Sequence, residues 1–253
     1  MFLFLVAAAL GYAIGGFRGL IIGVALAYGV SWLLQRVVQG GLGQIQSQFL
    51  ESTFAAMGAL CKADGTVTRD EIKVAEALFA RLHLSAEQRE AAKAAFNRGK
   101  SPGFDLDAEI AKLRQVSRGR GPLLQIFLQV QLTAIAADGG VHPAEHEMLV
   151  RMARGLGLSE ADVAQLEAML RTGTGTGARP TRQKLDDAYA ALGVSPSASD
   201  AEIKRKYRRL MSQNHPDKLA GKGLPESMRE VAEERTREIS TAYRLIREAR
   251  QSA

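Results

Sequence analysis

The sequence predicts an all-α chain in three parts, on three observations. From Phe2 to Leu34 the sole charged side chain is Arg18. Two segments 74 positions apart repeat the pattern Ala-Asp-Gly-x-Val-x-x-x-Glu, each between apolar runs of helical length. Near the carboxyl end, Asn214-His215-Pro216-Asp217-Lys218 separates a segment with one cationic face from a second amphipathic segment.

The first part, residues 1–36, reads as a transmembrane anchor. About 20 apolar residues suffice to cross a bilayer core, and this run exceeds that. A cleaved signal peptide would carry positive charge ahead of its apolar stretch, whereas no Lys or Arg precedes Arg18. Tyr28 and Trp32 followed by Arg36 fit an interfacial aromatic belt with a positive anchor behind it. The lack of basic side chains ahead of Arg18 then places the amino terminus in the periplasm and the rest of the chain in the cytoplasm. Arg18 divides the run into pieces of about 24 Å each at 1.5 Å per residue, so a tilted single span with Arg18 snorkelling fits better than a hairpin turning at Gly15–Gly19. Gly11, Gly15, Gly19 and Gly23 recur every four residues. Such a ridge lets a second helix approach closely, and we expect it to support a homodimer.

The second part, residues 44–171, reads as a helical domain with an internal repeat. In Ala63-Asp64-Gly65-Thr66-Val67-Thr68-Arg69-Asp70-Glu71 and Ala137-Asp138-Gly139-Gly140-Val141-His142-Pro143-Ala144-Glu145, the glycine ends one helix and the glutamate falls in the first turn of the next. Two such hairpins would pack on one another, with Phe127, Val130 and Ile135 on a buried helix between them. Asp64, Glu71, Asp138 and Glu145 could together hold a divalent cation, since hard cations take oxygen ligands. Capping and helix-dipole roles account for the same carboxylates without a metal, and the spacing does not fit an EF-hand loop. His83, His142 and His146 lack an evident nucleophile partner, so nothing here suggests an enzyme. From Gln48 to Leu170 the chain resembles the TerB-like domain of tellurite-resistance proteins. Residues 172–182, where Gly173, Gly175 and Gly177 alternate with threonine, read as a flexible linker that lets the last part swing.

In the third part, residues 183–253, Ser199-Asp200-Ala201-Glu202 has the form of a capping box. Ile203, Tyr207, Leu210 and Met211 form one apolar stripe, and Lys204, Arg205, Lys206, Arg208 and Arg209 fill the remaining surface. Pro216 stops the helix. A second helix carries Met228, Ala232, Ile239, Ala242, Tyr243 and Ile246, and a short one before the box carries Leu185, Ala188, Tyr189 and Leu192. Short helix, basic helix, His-Pro-Asp loop and long helix together resemble the J domain of DnaJ-type co-chaperones over Lys184 to Arg250. Asn214 stands where many such domains have an aromatic residue.

Charge is distributed unevenly. The net +6 divides into +2 over residues 1–43, −1 over 44–178 and +5 over 179–253. Phosphate binding would use the same cations, but single-strand recognition adds exposed stacking aromatics, and Tyr207 lies on the apolar stripe; a nucleic acid partner is not expected. One cysteine, Cys61, excludes an intramolecular disulfide framework.

Anchor, TerB-like domain and J domain in this order resemble the membrane-anchored DnaJ-like co-chaperones of Gram-negative bacterial inner membranes. The resemblance implies docking on DnaK, with His215, Pro216 and Asp217 stimulating its ATP hydrolysis and Lys204, Arg205, Lys206, Arg208 and Arg209 holding the complex electrostatically. It also implies a role in envelope stress and capsule regulation, and the middle domain as the selector of a client or membrane-associated partner. A metal-responsive envelope sensor acting through the TerB-like domain is the alternative.

Overall fold

A computed structural model of the chain describes residues 2–62, 78–136, 143–173 and 182–251, with the side chains of most residues in 1–40 excepted. Every regular element among them is helical. The chain divides into two units, Met1–Gln44 and Ile45–Ala253.

The first unit is the leading part of α1, Phe2–Leu60. Its sequence over these residues is rich in Leu, Ala, Ile and Val. Gly16 takes a positive φ of 57° inside this helix, a conformation that costs glycine little. Leu10, Phe17, Ile21, Ile22, Leu26 and Tyr28 are exposed. Among the described residues no helix is long and apolar enough to cross a membrane. The side chain of Arg18 and the surroundings of Gly11, Gly15, Gly19 and Gly23 lie outside the described residues.

In the second unit, the end of α1 is followed by α2 (Ala86–Gly99), α3 (Leu106–Val116), α4 (Gly121–Ala136), α5 (Pro143–Leu156) and α6 (Glu160–Gly173). As its composition predicts, α4 is the central helix: Leu123, Leu124, Ile126, Phe127, Leu128, Val130 and Leu132 are all buried. Phe49 of α1 meets Phe127 edge-on at 6.3 Å, and Phe54 packs on Phe79 at 4.8 Å. The helices α1 and α2 cross in backbone contact. A Cβ on Gly58 would lie 2.1 Å from the Phe96 carbonyl oxygen, and one on Gly99 would lie 1.9 Å from that of Ala55. Only glycine permits that approach.

The remaining elements are α7 (Arg182–Leu192), α8 (Asp200–Asn214), α9 (Pro216–Ala220), a 3-10 turn over Glu226–Met228 and α10 (Arg229–Gln251). The capping box at the start of α8 is present: the Ser199 hydroxyl accepts from the Glu202 amide at 3.3 Å, and the Ser199 amide donates to Glu202 Oε2 at 2.8 Å. Helices α8 and α10 run antiparallel. At one end Arg229 reaches Asp217, and at the other Arg250 donates to Asp200 Oδ1 and to the Pro196 and Ala198 carbonyls. Between these ends Tyr207 and Tyr243 stack at 4.2 Å.

Apolar side chains of this last part pack together with those of the middle domain. Leu219, Leu224, Met228, Val231 and Ala232 belong to the same apolar cluster as Phe49, Phe96 and Phe127, while Ala168 and Met169 of α6 belong to the cluster of α7, α8 and α10. Apolar surface on both sides is removed from water only when the parts stay together, so residues 45–253 form one compact body. The linker segment over residues 174–181 lies outside the described residues.

Candidate functional site

The His-Pro-Asp tripeptide sits where α8 hands over to α9. His215 caps α9, its Nδ1 accepting from the Asp217 amide at 3.3 Å. With Nδ1 accepting, the neutral ring carries its proton on the other nitrogen. Pro216 occupies the first position of α9, where a missing N–H costs nothing, and is buried. The Asp217 side chain is 67% exposed. Its Oδ1 accepts from Arg229 Nη2 at 3.0 Å, and Oδ2 lies 3.8 Å from His215 Nδ1. Arg229 also bonds Glu233 at 3.2 Å and lies 3.9 Å from Glu226. Its guanidinium is held above the ordinary arginine range, first by the bond to Asp217 and then by that to Glu233.

Asn214 is buried. Its Nδ2 donates to the Leu210 carbonyl at 2.9 Å, and its Oδ1 has no partner among the described residues. The position that the sequence marked as lacking an aromatic thus caps the last turn of α8 from inside. Lys218 Nζ donates to Ser212 Oγ at 2.5 Å.

Four of the five expected cations, Lys204, Arg205, Arg208 and Arg209, are exposed on α8. Lys206 is half-buried. Burial pulls its pKa down, with Arg209 adding to the effect and Asp162 opposing it, so it belongs partly to the contact with α6. The surface that remains is a positive helix face ending in an exposed imidazole and an exposed carboxylate. It can attract an acidic protein surface over several ångströms.

Of the four carboxylates expected to hold a cation, Asp64, Glu71 and Asp138 lie outside the described residues, and Glu145 occupies the first turn of α5. Among the described residues no group of three or more His, Cys, Asp or Glu is placed to hold a metal.

Three residues escaped the sequence reading. One is Arg229. The others are Arg235 and Glu238 on α10, both buried. Arg235 Nη2 donates to Gln125 Oε1 at 2.9 Å and Nη1 to Gln129 Oε1 at 3.1 Å, while Gln129 Nε2 donates to Glu238 Oε2 at 3.1 Å. A neutral amide on α4 therefore bridges two opposite charges on α10. Burial pulls Arg235 down to about 10 and pushes Glu238 up to about 7. The signal was present: Met228, Ala232, Ile239, Ala242 and Ile246 leave one vacancy at helical spacing, and Arg235 fills it.

Comparison with known proteins matches two family descriptions to this fold. Tellurite resistance protein TerB covers residues 51–168, and the DnaJ domain covers residues 187–252. No solved structure matches. Curated relatives named Co-chaperone protein DjlA include that of Photobacterium profundum, 44% identical over 80% of this chain and 78% of its own length. That of Vibrio cholerae is 42% identical over the same shares. That of Escherichia coli is 37% identical over 92% of both chains. With identity at this level across most of both partners, and with the TerB and DnaJ regions falling on the two halves of the helical body just described, the chain belongs to the DjlA co-chaperone family.

Proposed function

We propose that the protein is a membrane-anchored co-chaperone that docks on a DnaK-type Hsp70 through its J domain and stimulates ATP hydrolysis by that partner. The observation that carries this reading is the exposed His215 and Asp217 pair at the end of the positive face of α8. Lys204, Arg205, Arg208 and Arg209 steer and hold the partner, an effect that weakens as salt screens it. The chemistry belongs to the partner, and His215 acts as a contact. Envelope stress and capsule regulation are the setting that the family suggests.

The anchor belongs to the same proposal. Leu10, Phe17, Ile21, Ile22 and Leu26 stand exposed, and exposed apolar side chains of this size are stabilised where water is excluded. We place residues 1–36 across the inner membrane with the amino terminus in the periplasm, and the Gly11, Gly15, Gly19 and Gly23 ridge at a homodimer contact.

Single-turnover ATP hydrolysis by DnaK, measured with the full chain in detergent micelles, tests the central claim. The wild type is expected to accelerate the step and His215→Gln to abolish the acceleration. Equal rates with and without the wild-type chain would overturn the proposal.

A further inference from the structure

Asp217 is only as well placed as Arg229, and Arg229 is the first residue of a helix gripped by the middle domain. The grip is extensive. Arg120 Nη1 donates to the Lys222 carbonyl at 2.7 Å and Gln46 Nε2 to the Leu224 carbonyl at 3.3 Å, so the segment between α9 and α10 is tied down by its backbone. Gly223 lies so close to Ile45 that a Cβ would approach it to 2.4 Å. Arg81 pairs with Glu230 at 3.5 Å and Glu234 at 2.5 Å on the first turns of α10. Deeper in, Gln125 and Gln129 take the buried Arg235 guanidinium, and Gln129 passes the connection to Glu238. A buried charge tolerates few alternative poses, because any shift that loses its acceptors leaves it unpaired. The network therefore selects one angle between α10 and the body beneath it.

We propose that Gln125, Gln129 and Arg229 are positioning residues for the His-Pro-Asp loop. Gln125 and Gln129 fix α10 through Arg235 and Glu238, and Arg229 transmits that fixed frame to the Asp217 carboxylate. The middle domain is then a working part of the docking surface and can report to the loop through one helix. This inference rests on the co-chaperone reading for its consequence but not for its geometry.

The test uses full-length Gln129→Met and Arg229→Met, with Arg229→Lys as the conservative variant. Amide hydrogen exchange is read at Asp217, Leu219 and Gly221, whose N–H groups bond His215 Nδ1, the His215 carbonyl and the Asp217 carbonyl. Stimulation of DnaK is read over a range of co-chaperone concentrations. Both Met variants are expected to speed exchange at these amides by about tenfold as the loop opens locally. They are also expected to raise the half-saturating concentration roughly fivefold at unchanged maximal rate, because only the cost of ordering the loop has risen. Arg229→Lys should recover most of both losses, and the double Met variant should fall short of the sum. Wild-type exchange at the three amides in Gln129→Met would overturn the proposal. If Gln129→Met does not fold, Gln125→Met takes its place under the same criterion. A wild-type chain without effect on DnaK would sink the co-chaperone reading, leaving the exchange data to decide this one.

Discussion

Arg235 carries its guanidinium into a seam where its hydrogen-bond acceptors are neutral amides and a carbonyl, and its Nε has no partner among the described residues. Its opposite charge, Glu238, is reached through Gln129. Burial, and secondarily Glu234, push the Glu238 carboxyl up to about 7, against the pull of Arg235, Gln129 and Arg237. Because the folded value lies above the unfolded one, the folded state holds a proton that the unfolded state has lost between about pH 4.5 and 7. Stability accordingly falls as pH rises through that window and levels off above it. The expected loss is on the order of 3 kcal/mol. Urea unfolding between pH 5 and 8 checks this, and Glu238→Gln should remove most of the slope. A wild-type midpoint that climbs over the same range would contradict the buried-acid account.

At the scale of elements, the sequence showed most where a helix boundary depends on a local bond. The Ser199 box was legible because Glu202 stands three residues on, and the stop at Pro216 because proline dictates the backbone before it. The burial of α4 was legible from its run of Leu, Ile, Phe and Val. The contact between α1 and α2 was not, since Gly58 and Gly99 are 41 positions apart and neither lies in a recognisable motif. Their meaning emerges only where the two backbones meet. Gly99→Ala is expected to force the helices apart and to cost about 1–3 kcal/mol as overpacking does, read as a lowered urea midpoint. Gly103, whose added Cβ would meet open space, is the control site. A midpoint for Gly99→Ala equal to that of Gly103→Ala would show that the crossing relaxes freely.

For the molecule as a whole, the apolar cluster of the middle domain takes in residues from the last part of the chain. Linker composition reports the stiffness of the linker alone; whether the flanking domains adhere depends on surfaces that do not adjoin in sequence. Leu219 and Leu224 gave no sign of a partner because they fall in a segment that reads as a loop, yet both are buried in the middle domain's cluster. The shared interior predicts that residues 45–253 unfold in one cooperative transition, with the protected amides of α4 and α10 exchanging at a common opening free energy. Two resolved transitions, the second restoring α4 alone, would show instead that the parts merely touch.

That interior also orders events at the ribosome. Phe49, Phe54 and Met57 are made early, whereas Leu219 to Ala232, which close over the same cluster, emerge more than 150 residues later. At about 5–20 residues per second the delay is on the order of ten seconds. Throughout it the nascent middle domain presents an uncovered apolar face, the kind of surface that chaperones bind. The protein is thus expected to need, during its own synthesis, the service it is proposed to direct toward others.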